Sequence, residues 1–404
     1  QSRGLGDVYK RQLLNLRHLS AALEVRKLGS ISRATETIYL SQSAITQGLS
    51  KLERELNFEI FARSHDGLKP TPAGDIFLDR TQTAIKFLCR RDSFLGKRDN
   101  TGAPLYRSLT ASQLRALMTV VEQGSYTLAA RHLKLAQPTV HRAVQDAENI
   151  CGYTLFSKSP SGLEPSWHAR QLARYIALFF AELSQGIEEV QEYHGRMTGR
   201  LRIGSLPLAR TRMVPRAVVN LLGEYPEARV SIIDGPYDEQ LHALLHGRLD
   251  IIVGALRDPP PSPDIEQREL FRDSLSIVVR PGHPLEKRGS VSASELHRLD
   301  WIAPREDTPG REAFTQFFEN NGLSPPEHVI ECSSLVATRG MLMESDRAAL
   351  LSARQVEVDV SFGLLSVSSR HLQDTGRNIG IAHRKGWKPT LVQQRFIERL
   401  EQEI

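Results

Sequence analysis

Cysteine is scarce: Cys89, Cys151 and Cys332 are the only three in 404 residues. Odd in number and far apart, they exclude a disulfide framework and offer no cluster of metal ligands. Long hydrophobic runs are missing as well. The longest, Ile176 to Ala181, falls far short of the ~20 residues a membrane-crossing helix needs. No basic region, apolar core and small-residue cleavage site open the chain, so it is expected in the cytoplasm rather than secreted. Gly-x-Ser-x-Gly, a phosphate-binding loop, His-Glu-x-x-His and Gly-x-Gly-x-x-Gly are all absent, which leaves the sequence signals for an enzyme thin. The thirteen histidines are scattered; His242 and His246 lie one helical turn apart but find no third ligand, and read as polar residues of an exposed helix face. Neither a metal nor a cofactor is expected.

What is present is ordinary globular composition, 40% hydrophobic and 25% charged. The net charge of +5 is unevenly spread: residues 1–198 carry +7 and residues 199–404 carry −2. Such a split suggests a module for polyanions joined to something else. Gln1 to Gln12 follow neither helix nor strand periodicity and read as a non-native leader, or as an arm without a role.

An internal repeat is the strongest signal. At an offset of 95 residues Ala21 falls on Ala116, Val25 on Val120, Gly29-Ser30 on Gly124-Ser125 and Ala34 on Ala129. Gln42 then falls on Gln137, Glu53 on Glu148, Phe61 on Phe156, Gly67-Leu68 on Gly162-Leu163 and Pro70 on Pro165, without a gap. Apolar periodicity stays in step, so a domain has been duplicated; two copies are too few for a solenoid.

Each copy reads as three helices followed by a short hairpin. In copy one Leu16, Leu19 and Leu23 recur at helical spacing up to Gly29. Ser30 caps a second helix, and Ser41 a third, whose apolar stripe is Ile45, Leu49, Leu52 and Leu56. Gln42, Ser43, Thr46, Gln47 and Ser50 are left on the opposite face, with Lys51 beside them. That is helix-turn-helix geometry. The hairpin Glu59–Lys69, turning at Asp66-Gly67, carries Arg63 and Lys69 as a wing suited to phosphates. Copy two repeats the pattern with Gln137, Pro138, His141, Arg142 and Gln145 outward and Lys158 in the wing. Amides pair bidentately with adenine and arginine with guanine in the major groove, so these residues point to double-stranded DNA.

The residues Gly29-Ser30, Arg33-Ala34, Leu40-Ser41-Gln42-Ser43-Ala44-Ile45, Leu52-Glu53, Leu56, Phe61-Ala62-Arg63 and Thr71-Pro72-Ala73-Gly74 resemble the N-terminal domain of LysR-type transcriptional regulators. Copy two is similar but departs from the pattern. Ala136 replaces the capping serine, and Ser166-Trp167-His168-Ala169 stands where Thr-x-Ala-Gly belongs. Copy one is therefore expected to supply most base readout, with Arg142 as copy two's contribution. The family normally carries one such domain, so the tandem pair is itself a departure.

The resemblance also implies a long linker helix that dimerises. Leu172, Tyr175, Ile176, Phe179, Leu183, Ile187 and Val190 hold helical spacing for about five turns. A seam of that length expects a partner helix, hence a homo-oligomer built upon it; the resemblance implies dimers paired into tetramers. Copy one offers a shorter version, Ile76 to Leu88, before Gly96 to Pro104, which reads as an interdomain linker.

The second half alternates strands and helices. Leu201–Ser205, Arg229–Asp234 and Asp250–Gly254 alternate with helices at Met213–Tyr225 and Asp238–His246, which predicts a parallel sheet. Strands at Leu275–Val279, Trp301–Ala303, Val329–Cys332 and Ala349–Ser352, with a helix at Arg311–Asn320, predict a second such lobe, and the chain returns through strand Ile379–His383 and helix Leu391–Glu403. Gly199 to Gly204, Leu249 to Gly254 and Val279 to Leu285 resemble the LysR effector domain, which is itself like a periplasmic binding protein.

The expectation is therefore multidomain: a leader (1–12), two α+β winged helix-turn-helix domains (13–96 and 112–169) joined by a linker (97–111), a dimerisation helix (170–198) and a two-lobed α/β effector domain (199–404). Its first lobe is expected at 199–272 and 366–404, its second at 273–365. Ligands of such sheets bind at the carboxyl ends of strands, near helix N-termini. Those positions are Ser205, Leu206 and Pro207; Pro236 and Tyr237; Arg305, Thr308 and Arg311; and Ser333 and Ser334, with the arginines as partners for a carboxylate. The function expected is a DNA-binding transcriptional regulator sensing a small anionic effector. The rivals are a free-standing solute-binding protein and a two-lobed enzyme with vestigial DNA-binding repeats.

Overall fold

Polar caps and left-handed stops cut the first 165 residues into short helices, and they do so twice. Helix α1 (Leu16–Leu28) stops at Gly29, φ 64°. Helix α2 (Ile31–Ile38) starts at Ser30, whose hydroxyl accepts from the Arg33 N–H, and stops at Tyr39, φ 54°. Helix α3 (Gln42–Leu56) is capped by Ser41. Strands β1 (Phe61–Ser64) and β2 (Gly67–Pro70) pair antiparallel, and α4 (Pro72–Leu88) follows. Copy two answers with α5 (Ala111–Gln123) stopping at Gly124, φ 61°, and α6 (Tyr126–Leu133) stopping at Lys134, φ 57°. Then come α7 (Gln137–Cys151), β3 (Phe156–Ser159), β4 (Gly162–Pro165) and α8 (Trp167–Tyr193). A stop at φ near +60° strains an L side chain; glycine ends α1 and α5 without that strain.

This computed structural model describes residues 14–64, 67–90, 95, 97, 104–160, 162–286, 291–372 and 375–404. The expected leader, the hairpin turn at Asp66 and most of the stretch from Gly96 to Pro104 lie outside the described residues. Two units divide the chain: residues 1–200 with 246–248, and residues 201–245 with 249–404.

The first unit holds one continuous core shared by both copies, from Leu14 to Val190. Its centre is α4 packed along α8, with Phe77, Leu78, Ala84 and Leu88 buried on one helix and Leu172, Ile176, Phe179 and Leu183 on the other. The expectation that this seam waits for a second chain is corrected here: copy one's own helix covers it. The sequence displays two apolar stripes, and only the fold shows that each is the other's partner. Part of the expected linker is also core. A 3-10 turn at Leu105–Ser108 buries Tyr106, whose hydroxyl lies 3.4 Å from the Ser20 hydroxyl.

In the second unit, lobe I contains β5 (Arg200–Ser205), α9 (Met213–Glu224), β6 (Arg229–Ile233), α10 (Tyr237–Leu245), β7 (Ile251–Ala255) and β8 (Ile265–Asp273). Lobe II contains β9 (Leu275–Val279), α11 (Ala293–His297), β10 (Trp301–Ala303), α12 (Pro309–Asn320), β11 (Val329–Glu331), α13 (Leu335–Met343), β12 (Ala348–Ser352), α14 (Glu357–Ser361) and β13 (Ser366–His371). The chain then returns to lobe I as β14 (Arg377–Arg384) and α15 (Leu391–Glu401). Strand orders are β6-β5-β7-β14-β8 and β11-β10-β12-β9-β13.

Two expectations need correction. The sheets are mixed, because strands that enter from the other lobe run against the rest: β14 is antiparallel to β7 and β8, and β9 to β12 and β13. Lobe II also extends past the expected boundary at 365, because β13 pairs with β9. Each sheet buries its own core, Ile203, Val214, Ile251, Ile381 and Phe396 in lobe I, Ile277, Trp301, Phe314 and Phe318 in lobe II.

Candidate functional site: a DNA-reading face and an effector pocket

Helix α3 buries Ile45, Gly48, Leu49 and Leu52 and thereby exposes Gln42, Ser43, Thr46, Gln47, Ser50 and Lys51. The Ser41 hydroxyl is engaged as the cap, accepting from the Ala44 N–H at 3.2 Å, and lies 3.0 Å from that of Ser43. Thr46 donates to the Gln42 carbonyl at 2.9 Å, which leaves Gln47 as the exposed amide of the middle turn. In copy two α7 buries Val140, Val144, Ala147 and Cys151 and exposes Gln137, Pro138, His141, Arg142 and Gln145. The His141 ring packs 4.9 Å from that of Tyr126. Arg63 and Lys158 stand exposed on the two wings.

Each wing is tied to its helix by a carboxylate whose role sequence reasoning missed. Glu53 Oε1 accepts from the Ile60 and Phe61 N–H groups at 2.9 and 3.2 Å. Glu148 Oε1 accepts from Leu155 and Phe156 at 2.7 and 3.2 Å. The repeat had aligned the two acids; their function follows from the loop that folds back onto them. As expected, α7 lacks a side-chain cap at Ala136. At Ser166-Trp167-His168-Ala169 the sequence departs from Thr-x-Ala-Gly, yet the cap is kept. The Ser166 hydroxyl accepts from Ala169 N–H at 3.3 Å, as the Thr71 hydroxyl does from Gly74 at 2.9 Å, because capping requires only the side-chain oxygen.

In the second unit a set of polar groups gathers at the carboxyl edge of the lobe I sheet. Ser205 ends β5 fully buried, and its hydroxyl has no hydrogen-bond partner. The Tyr237 hydroxyl, Gln240 Oε1, Arg210 Nε and Arg257 Nη1 are likewise buried without one. Gln240 Nε2 and Arg210 Nη2 both donate to the Ser205 carbonyl, at 3.4 and 3.0 Å, and the Arg257 guanidinium lies 4.1 Å from the centre of the ring of Tyr237, which starts the helix that carries Gln240. Arg377 enters the same edge at the start of β14, pairing with Asp273 at 3.2 Å and approaching the N-terminus of α12, where a side chain on Gly310 would begin 3.7 Å from its Nη1. Burial pulls the pKa of both Arg257 and Arg377 down from the usual arginine value and pushes that of Tyr237 up. Four of these five groups, the Ser205 and Tyr237 hydroxyls and the Arg210 and Arg257 nitrogens, can donate to a ligand with oxygen acceptors, while Gln240 Oε1 can accept from a ligand's N–H or O–H.

Of the expected effector residues, Ser205, Leu206 and Tyr237 lie in or beside this cluster, with Leu206 buried. Pro207 and Pro236 are exposed on its rim. The Thr308 and Ser334 hydroxyls cap α12 and α13, accepting from Arg311 N–H at 3.2 Å and Ala337 N–H at 3.3 Å. Arg311 stacks on Phe314, and Arg305 and Ser333 are exposed; the described contacts join none of the three to Ser205. Arg257 and Arg377 were missed for different reasons. Arg257 follows the carboxyl end of β7, where the strand-end rule would have found it. Arg377 begins an antiparallel strand, and only the sheet order brings it to that edge.

Two families match the chain. "Bacterial regulatory helix-turn-helix protein, lysR family" matches twice, over residues 16–75 and 111–170, and "LysR substrate binding domain" matches residues 194–404. Among curated relatives, the HTH-type transcriptional regulator GalR of Pseudomonas putida is 31% identical over 375 residues, 93% of this chain and 94% of that protein. That relative is thus as long as this chain. The HTH-type transcriptional regulator PcaQ of Agrobacterium fabrum is 27% identical over 278 residues, 69% of this chain and 89% of that protein. Among solved structures, a cysteine-to-aspartate variant of full-length OxyR from Pseudomonas aeruginosa shares 20% identity at TM-score 0.53, covering 73% of this chain and 94% of that one. CbnR, a LysR family transcriptional regulator, shares 20% identity at TM-score 0.52, covering 72% and 98%.

Proposed function

The chain belongs to the LysR family of transcriptional regulators, with helix-turn-helix DNA binding and a substrate-binding domain for a small-molecule effector, and from that premise we propose which residues do the work. On DNA, Gln42, Ser43, Gln47 and Ser50 of α3 and Gln137, His141, Arg142 and Gln145 of α7 face the bases, while Lys51, Arg63 and Lys158 contact phosphates. The supporting observation is that both helices are covered on their apolar side and exposed on their polar one. Thr46 and Ser41 act within the helix, and Pro138 shapes its first turn.

The effector is a small anion held by Arg257, Arg377, Tyr237 and Ser205, with Gln240 Oε1 placed to accept from a ligand hydroxyl or N–H. The observation that carries this assignment is the buried Ser205 hydroxyl without a partner at a sheet edge that also carries the half-buried Arg257 and Arg377. The protein acts by binding and not by catalysis. Self-association uses the edge strand β6 and helix α9, which expose Ile232, Ile233 and Val219.

Gel shift on DNA flanking the gene, over a range of salt, tests the first part. Binding should weaken steeply as salt rises, because phosphate contacts release counterions. No shift on any fragment at low salt would overturn it. A panel of aromatic and aliphatic carboxylates in thermal unfolding tests the second. A ligand at about 100 times its Kd should add about 2.7 kcal/mol of stability, and no response to any carboxylate would set the anion assignment aside.

A further inference from the structure

Helices α4 and α8 pair through an approximate two-fold relation that can be read residue by residue. Arg80 on α4 meets Gln185 on α8, with Nη1 donating to Oε1 at 3.2 Å. Moving each residue to its counterpart at the 95-residue offset turns Arg80 into Tyr175 and Gln185 into Arg90. Those two also meet, with the Arg90 guanidinium 5.3 Å from the Tyr175 ring centre. Contact of i with j accompanied by contact of j with i is the signature of a two-fold interface, here within a single chain.

The relation is two-fold in geometry and not in chemistry. Buried Arg80 pairs with Glu182 at 3.0 Å and with Glu189 through Nε at 2.8 Å. Gly186 lets the helices close at this point, since a side chain there would begin 2.8 Å from Arg80 Cβ. The copy-one counterparts of Glu182 and Gln185 are Phe87 and Arg90. In the same geometry, α4 paired with α4 of a second chain would bury Arg80 against a phenylalanine and another arginine, with neither acid. Two α8 helices would set Tyr175, where Arg80 stands on α4, against Glu182, Gln185 and Glu189. Both self-pairings leave buried charge uncompensated, which is how interfaces reject wrong partners.

We propose that one chain is a complete two-half-site DNA reader whose partner is a duplex with two dissimilar neighbouring half-sites. The inference rests on the DNA-binding reading above and specifies its target. Counterpart positions on the recognition helices differ in kind: Ser43 against Pro138, Thr46 against His141, Gln47 against Arg142 and Ser50 against Gln145. An ordinary pair of identical helices reads an inverted repeat, because operator symmetry mirrors protein symmetry. This pair reads amide-complementary bases in one half and guanine-complementary bases in the next.

The full-length protein is used to select duplexes from a randomised pool, and Gln47→Ala and Arg142→Ala are measured on the selected duplex with either half altered. Both residues are exposed, so the variants fold. Expected is a loss of discrimination of about tenfold by Gln47→Ala at one half-site and by Arg142→Ala at its immediate neighbour. Neighbouring half-sites that both depend on Gln47, or both on Arg142, would show pairing between chains and overturn the proposal. Selection of no duplex would instead remove the DNA-binding reading beneath it. As a second measurement, Arg80→Glu in one chain and Glu182→Arg/Glu189→Arg in another are co-expressed. The proposal expects no recovery of DNA binding from the mixture; recovery would mean that the helices pair between chains.

Discussion

Arg80 and Glu189 meet fork to fork across 109 residues of sequence, Nε donating to Oε2 at 2.8 Å and Nη2 to Oε1 at 2.5 Å. Burial by itself would lower the Arg80 pKa. The hydrogen bond and charge of Glu189, together with Glu182, outweigh it and the net shift is upward. Removing the guanidinium leaves two carboxylates facing a buried seam. Arg80→Ala should therefore destabilise the first unit by about 3–5 kcal/mol, read as a lower urea midpoint. Arg80→Met combined with Glu182→Leu and Glu189→Leu should recover most of that loss, because the uncompensated charges go with the pair.

Gly48 sits on α3 where an added side chain would begin 2.8 Å from His18 Cδ2. On an open helix Gly→Ala stabilises by about 0.5–1 kcal/mol. Here the sign should reverse, with Gly48→Ala costing about 1–3 kcal/mol as His18 is forced to move. Adding His18→Ala should restore the ordinary sign. Copy two carries Ala143 and Gln113 at the counterpart positions, so it already has the larger residue on the helix. Thermal unfolding of the single and double variants decides it.

Burial, and next the nearby Lys51, lower the pKa of His18 from 6.5, against a smaller opposing effect of Glu55. Below pH 6.5 the unfolded chain therefore binds the proton more readily than the folded one, so stability rises with pH through that window. It should level off above 6.5 and fall as the solution is acidified from there towards the lowered folded value. Urea midpoints from neutral to mildly acid pH should show this slope in the wild type, and His18→Gln should flatten it.

Ser205 offers a test that separates packing from binding. Its buried hydroxyl has no partner, a state that costs about 1–3 kcal/mol. Ser205→Ala should leave the unliganded protein as stable as before or more so, while weakening the effector's thermal shift. Arg257→Ala and Arg377→Ala should abolish that shift, since each removes a cation facing the ligand. A full shift in all three variants would place the ligand elsewhere.

Much of the first unit follows from sequence because its causes are local. Serine caps, left-handed stops and apolar spacing act within a few turns, so Ser30, Ser41, Gly29 and the stripe Ile45–Leu49–Leu52 could be placed by inspection, and their repetition at 95 residues doubled the signal. The outward faces of α3 and α7 come with them, since burying one side of a helix exposes the other.

Tertiary structure decided what depended on distant partners. An apolar stripe states that Leu172–Val190 must be covered but not by what, and hydrophobic burial has no direction that would choose between another chain and α4. That choice lies with the Arg80–Glu182–Glu189 cluster, whose members are separated by 102 and 109 residues. The proposed effector pocket follows the same rule. Ser205 and Tyr237 can be found from the ends of strands, whereas Arg377 reaches Arg257 because β14 returns from lobe II and lies antiparallel beside β7. Local propensity sets where elements begin and end; sheet order and buried charge set which of them meet.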